Sequence, residues 1–270
     1  MSITITNQQK QQYQDEGYFI LERALSDEQL ESLRGEAQYA MDRLNAQFDE
    51  QGVDSIGINH RNKRYFSANV FRERPELLKF LKSDLMVEIC RAVFGDTAYL
   101  FWEQYVIKCS DKDTTFSWHQ DSGYVHPYHQ PYLSCWIPLD DVNEENGTVS
   151  VLPYSRSGIK SWVKHIVDPR NNDKVGYFGS DKGIPAIVPA GSIVCFSSVL
   201  FHSSGANLTN KLRRVYLAQY SGEKIMREDN SRLWGNAEPV VVNGKRAEEL
   251  LVISCWGSRS ITNNQQPITQ

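Results

Sequence analysis

The tetrad Trp118-His119-Gln120-Asp121 places two metal-ligating side chains two positions apart. Along an extended strand successive side chains alternate, so His119 and Asp121 share a face and can reach one ion. The third ligand must come from elsewhere, and His202, in Val199-Leu200-Phe201-His202-Ser203-Ser204-Gly205, is the candidate. Two histidines and one carboxylate on one face of an octahedral ion leave three positions open, the arrangement of non-haem Fe(II) oxygenases. Arg213 follows His202 by eleven positions, at the start of a strand-like run. A buried guanidinium can grip a carboxylate through two parallel hydrogen bonds, and the Ser204 hydroxyl can donate to the same group. Iron ligands plus a carboxylate clamp suit a 2-oxo acid that chelates the metal through its keto oxygen and near carboxylate, its far carboxylate meeting Arg213. Arg214 is the rival clamp. Alternation lets only one of the pair point inward, and the spacing from His202 favours Arg213.

These residues need strands to hold them. Tyr99 to Cys109 is aromatic and β-branched, Phe116 to Asp121 is the metal strand, and Tyr132 to Leu139 and Thr148 to Leu152 read as further strands. Ile184 to Val188 and Ser192 to Leu200, joined by Pro189-Ala190-Gly191, read as a hairpin leading into His202, and Leu212 to Tyr220 as the last core strand. Asn243-Gly244 within Val240 to Ala247 is a hairpin signal. Upstream, Ser26-Asp27-Glu28-Gln29 has capping-box spacing, followed by Leu30, Leu33, Ala37, Met41 and Leu44 at helical period. Pro75 opens a second helix that Gly95 ends, with Leu77, Leu78, Leu81, Leu85, Ile89 and Val93 as its stripe. Both helices are expected outside a sheet. Asp49 to Lys63 and the long polar Ser155 to Gly183 read as loops, the latter as a functional loop or insertion. The tail from Ser258 is polar. Many short strands suggest a sandwich or barrel; a jelly roll would bring His202 opposite the His-x-Asp strand.

Length alone would permit two domains, but all-β barrels of this size are often one domain. The chain has 270 residues, with 40% hydrophobic and 23% charged residues and a net charge of −4. Mixed charge signs leave no nucleic-acid footprint, and no apolar run is long enough to span a bilayer. Met1 to Gln12 lacks the apolar core of a signal peptide. Cys90, Cys109, Cys135, Cys195 and Cys255 are odd in number and never spaced C-x-x-C, which favours free thiols in a reducing cytoplasm.

Further motifs follow the metal tetrad in order: Trp136-Ile137-Pro138-Leu139-Asp140-Asp141, Asn146-Gly147-Thr148, Val151-Leu152-Pro153-Tyr154-Ser155, then His202 to Arg213, with Asp15-Glu16-Gly17-Tyr18-Phe19-Ile20-Leu21 before the capped helix. In this order they resemble the phytanoyl-CoA dioxygenase family over nearly the whole chain. The resemblance implies a mainly β protein with flanking helices, a cupin-like double-stranded β-helix. It implies a single domain over residues 1–270: a helical part to about residue 96, a jelly-roll core over about 97–222 and a C-terminal extension. It implies Fe(II) on His119, Asp121 and His202, O2, and 2-oxoglutarate with its far carboxylate on Arg213 and Ser204. Phe116 and Trp136 match family positions lining that pocket. Where family members often carry Pro-Gly-Ser-His, this chain reads Pro153-Tyr154-Ser155-Arg156, so Arg156 is a candidate for an acidic substrate group.

The expected reaction is oxidation of an unactivated C–H bond of a small molecule, with release of succinate and CO2. A carboxylate at Asp121, where related halogenases have a small residue, argues for oxygenation; desaturation, rearrangement and oxidative cleavage remain open. Gln104, Tyr105, Trp118, Tyr124, His126, Tyr128 and His129 are candidates to face substrate, although the ordinary reading of an isolated histidine, His60 and His165 included, is structural. The absence of a strongly basic patch argues against an acyl-CoA, and an amino-acid-derived or natural-product metabolite is preferred. A non-catalytic jelly-roll binding protein and a non-oxidative metal-dependent isomerase or hydrolase are the competing classes. Neither nucleic acid nor membrane is expected as a partner.

Overall fold

The computed structural model describes residues 4–126, 128–168 and 173–247. The N-terminal part comprises α1 (Asn7–Glu16), β1 (Tyr18–Leu21), α2 (Asp27–Gln51), β2 (Ser55–Ile56), β3 (Asn59–His60), β4 (Arg64–Ala68), α3 (Pro75–Leu81) and α4 (Asp84–Phe94). The centre comprises β5 (Thr97–Lys108), β6 (Phe116–His119), β7 (Leu133–Pro138), β8 (Val149–Leu152), α5 (Tyr154–Ser157), β9 (Ile166–Val167), β10 (Lys174–Val175), β11 (Ile184–Pro185), β12 (Ile193–Ser197), β13 (Phe201–Ser204) and β14 (Arg213–Ser221). Beyond it lie β15 (Glu238–Val242) and β16 (Lys245–Arg246).

Two antiparallel sheets face each other. The larger has the order β1-β12-β7-β14-β5-β4-β3-β2 with β15 on β5 and β16 on β15, and the smaller is β11-β8-β13-β6. Neighbours far apart in sequence are the mark of a jelly roll. Alternation sorts the side chains of the larger sheet into two cores. Val106, Trp136, Val194, Phe196, Val215 and Leu217 point between the sheets. Tyr105, Ile107, Cys135, Ile137, Tyr216 and Ala218 point outward, under Leu33, Ala37 and Leu44 of α2 and Met86, Ile89 and Cys90 of α4. Because both faces are covered, these strands read as unbroken apolar runs.

The capping box at Ser26 forms as expected, its hydroxyl accepting from Gln29 N. Other expectations need correction. The helix opened by Pro75 is two helices: Ser83 is extended (φ −63, ψ 161), and α4 restarts with a new phase that buries Met86 and Val87 and leaves Leu85 half-buried. The hairpin drawn between Ile184 and Leu200 does not form, since β11 pairs with β8 in the smaller sheet and β12 with β1 and β7 in the larger. Asp49 to Lys63 holds the end of α2 and the small β2–β3 hairpin. The polar opening hides α1, capped by Thr6. Strands from both flanks, β1, β4 and β15, join the larger sheet. The Asn243-Gly244 hairpin does form, with φ values of 51 and 72 at the turn, and β15 extends β5. The tail from Ser258 and Cys255 lie outside the described residues.

Candidate active site

His119 and His202 are direct cross-strand partners on β6 and β13, with ring centroids 4.2 Å apart. The strand ends at His119, and Asp121 opens a 3-10 turn, Asp121–Tyr124, which swings its carboxylate back toward both imidazoles. Asp121 Oδ1 lies 3.8 Å from His119 Nε2 and 3.4 Å from His202 Nε2. The three ligand atoms lie within 4.8 Å of one another. Each imidazole donates Nδ1–H to a backbone carbonyl two residues earlier, His119 to Ser117 O at 2.7 Å and His202 to Leu200 O at 3.1 Å. That fixes the tautomer and leaves the Nε2 lone pairs facing the centre.

Electrostatics prepare the same set. Burial, with His202 alongside, holds His119 down to about 3, so its imidazole is neutral at physiological pH. Burial alone would raise Asp121, but the two histidines and Ser134 outweigh it and the carboxyl titrates at about 2. Asp121 Oδ2 accepts from Ser134 Oγ at 2.5 Å and from Gln219 Nε2 at 2.9 Å, leaving Oδ1 for a metal. Ser134 and Gln219 face each other on β7 and β14. They escaped the sequence reading, yet each is a polar interruption in an apolar strand.

The triad opens on a cavity of about 360 Å³ between the sheets. One end is set by a rung of three cations, with Arg64, Lys108 and Arg213 opposite one another across β4, β5 and β14. Arg213 lines the cavity, and burial brings its guanidinium down to about 10. Its Nε has no hydrogen-bond partner, and among the described residues no carboxylate forms an ion pair with it. Its neighbour Arg214 faces outward and is held by Asp140, Nε to Oδ2 at 3.0 Å. Ser204 lines the same end and accepts from Lys108 Nζ at 2.7 Å. Phe116 and Trp136 form walls here, the Arg213 guanidinium standing 5.8 Å from the Trp136 ring. These donors fit a carboxylate as well as the triad fits a divalent iron.

Among the substrate candidates, Gln104 and Tyr124 line the cavity, the Tyr124 ring standing edge-on to His119. The other six do not line it. Trp118 alternates away from His119 and packs on Tyr177. His126 lies in the exposed loop against Trp162. Arg156 is paired with Asp181 through Nε at 2.9 Å and a second, shorter contact. Tyr105 faces the outer core, Tyr128 is exposed, and His129 stacks on Tyr132. Missed by the sequence reading were Phe101, Trp102, Tyr132 and Trp234, which build the end of the cavity beyond the triad.

The segment after Arg156 is tied to the site through the middle of the metal tetrad. Buried Gln120 donates to Ser161 O and Val199 O at 2.9 and 2.6 Å and accepts from Val163 N at 3.0 Å. His165 Nε2 accepts from Gln120 N at 2.9 Å. A Cβ at Gly123 would lie 2.6 Å from the His165 ring, so only glycine fits there.

A jelly roll with two histidines and an aspartate converging at its open centre defines the class of non-haem iron oxygenases. Within that class the chain belongs to the phytanoyl-CoA dioxygenase family, whose profile matches residues 13–215. It is an Fe(II)- and 2-oxoglutarate-dependent dioxygenase, with O2 as co-substrate. It is 25% identical to the ectoine dioxygenase of Bordetella bronchiseptica, covering 74% of this chain and 70% of that one. It is 23% identical to a probable alpha-ketoglutarate-dependent hypophosphite dioxygenase of Stutzerimonas stutzeri, over 97% and 98% of the two chains. In fold it is similar to the non-haem alpha-ketoglutarate-dependent carbocyclase SnoK from nogalamycin biosynthesis, with a TM-score of 0.65, 17% identity and coverage of 87% and 93%. Among the described residues no helix is long and apolar enough to cross a membrane.

Proposed function

We propose that this dioxygenase oxidises a small-molecule metabolite, with hydroxylation as the outcome, and that His119, Asp121 and His202 are its iron ligands. The observation that carries the assignment is the buried, unpaired Arg213 guanidinium across the cavity from the triad. A buried charge without a partner is strongly unfavourable, and the far carboxylate of 2-oxoglutarate relieves it. A non-oxidative isomerase or hydrolase has no need of this clamp. When bound, iron supplies oxidative decarboxylation of 2-oxoglutarate to succinate and CO2, coupled to oxidation of the substrate. The protein's own part is positioning. Arg213 and Ser204 hold the co-substrate carboxylate, Trp136 and Phe116 wall it in, and Ser134 and Gln219 aim Asp121. Asp121 occupies the position that a halide would need, which favours oxygen transfer.

The chemistry of SnoK and the mixed aromatic and amide lining support a natural-product intermediate as substrate. The free thiols Cys90, Cys109, Cys135 and Cys195 suit a reducing cytoplasm. The test is succinate formation by anaerobically Fe(II)-loaded protein given 2-oxoglutarate and then oxygen. Wild-type protein should release succinate, His119→Ala and His202→Ala should lose iron and turnover, and Arg213→Ala should raise the 2-oxoglutarate requirement by about 2–5 kcal/mol of binding. Unchanged activity in either histidine variant removes the triad assignment. If Arg214→Ala has the effect and Arg213→Ala does not, the clamp is misassigned.

A further inference from the structure

The charges around the cavity are not evenly spread. Arg64, Lys108 and Arg213 share one rung of the larger sheet, and Asp173, which accepts from Ser117 N near the start of β6, belongs to the same end. Four residues nearer the C-terminal end of β14 than Val215 is Gln219, opposite Trp102 and Ser134, and this rung touches Asp121. Beyond it the cavity wall is Phe101, Trp102, Val125, Tyr132 and Trp234, and no charged side chain among the described residues lines that end.

This aromatic end is built rather than incidental. Phe101 and Tyr132 are tilted rings 4.8 Å apart, and Trp234 meets Phe101 at 6.3 Å and Trp102 at 6.4 Å. Trp234 comes from the segment after the last central strand. That segment is anchored on either side, by Trp234 N donating to Ile225 O at 2.9 Å and Asn236 N donating to Phe101 O at 2.8 Å. The Asn236 side chain adds a bond to Asn69 Oδ1 at 2.8 Å and accepts from Arg72 at 2.6 Å. Arg227 stacks 4.6 Å from the Trp234 ring outside the cavity lining, so that ring already serves one cation. The polar handle is Gln104. Its Oε1 accepts from Trp102 Nε1 at 3.4 Å, which leaves the amide N–H groups to donate into the cavity.

We propose that the aromatic end selects an uncharged, ring-bearing substrate, held between Trp102, Trp234 and Phe101 and oriented by a carbonyl or hydroxyl oxygen on Gln104. A carboxylate would leave its charge facing aromatic carbon with no counter-charge to replace water, and a cation would have to share the Trp234 ring with Arg227, with no carboxylate at that end among the described residues. A flat apolar ring recovers its burial energy and meets favourable edge and face contacts. The cations that line the cavity, Arg64 and Arg213, stand at the opposite end, where the co-substrate carboxylate belongs. This narrows the preference for an amino-acid-derived or natural-product metabolite to the neutral part of the second class, and it rests on the iron and 2-oxoglutarate reading above.

The test is calorimetric titration of the anaerobic Fe(II)- and 2-oxoglutarate-loaded protein with tetralone, and with its charged congeners tetrahydronaphthoate and aminotetralin. L-proline serves as a zwitterion. Tetralone should bind at least about tenfold more tightly than any charged probe. Trp234→Ala and Trp102→Ala should each weaken tetralone by about tenfold. Gln104→Leu should weaken tetralone but not tetralin, which lacks the carbonyl. A charged congener that binds as tightly as tetralone overturns the proposal without any variant, as does failure of tetralone to bind protein that takes up 2-oxoglutarate normally. Failure of 2-oxoglutarate itself to bind in the loading step strikes the earlier reading instead.

Discussion

Asp121 uses its two oxygens differently, and the division depends on Gln219 and Ser134. Outer partners of this kind orient a ligand and fix its basicity, and their loss commonly costs a metal site about 10–100-fold in affinity. Gln219→Leu is therefore expected to weaken iron by about that factor, measured by competition with a colorimetric chelator, while the fold persists because leucine fits the apolar run of β14. At the opposite end, Lys108 is fully buried and donates to Ser204 Oγ and to Gly205 O, at 2.7 and 2.6 Å. Burial, and then Arg213 alongside, push its ammonium well below the ordinary lysine value. With Lys108 donating to its oxygen, the Ser204 hydroxyl is left to give its proton to a carboxylate. Lys108→Met should weaken 2-oxoglutarate by about tenfold or more, yet spare 2-oxobutyrate, which has no far carboxylate. Equal loss for both acids in a binding titration would mean that Lys108 only supports the fold. The convergence of His119, Asp121 and His202 and the inward face of Arg213 were legible in the sequence, because the order of motifs around them is specific even though His-x-Asp alone is common. Lys108, Ser134 and Gln219 were not, because their meaning depends on which strands lie side by side.

At the scale of elements, β5 carries two unlike faces. Gln104 points to the cavity, while Glu103 points under the helices, where its Oε1 accepts from Phe71 N at 2.7 Å. Burial raises the Glu103 carboxyl from 4.5 to about 7. The folded protein thus binds this proton more tightly than the unfolded chain does. Stability should be highest below about pH 4.5 in this contribution, fall as pH rises through 7, and level off above. At 1.36 kcal/mol per pK unit the difference is about 3 kcal/mol. Glu103→Gln should flatten that slope and stabilise the protein at pH 9 by an amount of this order, read from urea unfolding across pH. The long polar run Ser155 to Gly183 gives a second case. Gln120 and His165 pin it, and Gly123→Ala would drive a methyl into the His165 ring. A loss of about 1–3 kcal/mol is expected, and faster proteolysis within 155–183 should accompany it. Most elements were legible because their apolar runs, caps and turns are local signals. The break at Ser83 was not, since Leu77 to Val93 keeps helical period across it. Nor was the parting of β11 from β12, because a Pro-Ala-Gly turn reads the same whether the strands it joins pair with each other or with different sheets.

For the whole molecule, the buried Arg213 guanidinium, with no carboxylate paired to it among the described residues, and the convergent triad are groups that a bound ligand can stabilise. Ligands that bind only the folded state raise its stability, by about 2.7 kcal/mol at a concentration 100 times the dissociation constant. A divalent metal and 2-oxoglutarate together should raise the melting temperature by several degrees more than the sum of their separate shifts, because chelation and the Arg213 clamp act on one molecule. Additive or smaller shifts in a thermal-shift titration would count against their sharing a site. His119 and His202 stand on the smaller sheet, whereas the side chains that grip Asp121 stand on the larger. Iron held by these three residues would thus rivet both leaves of the sandwich. Residues at the aromatic rim can change, and the substrate with them, while the rivet holds. A slip of one leaf over the other, however small, would spoil metal retention and the aim of the oxidation in the same movement.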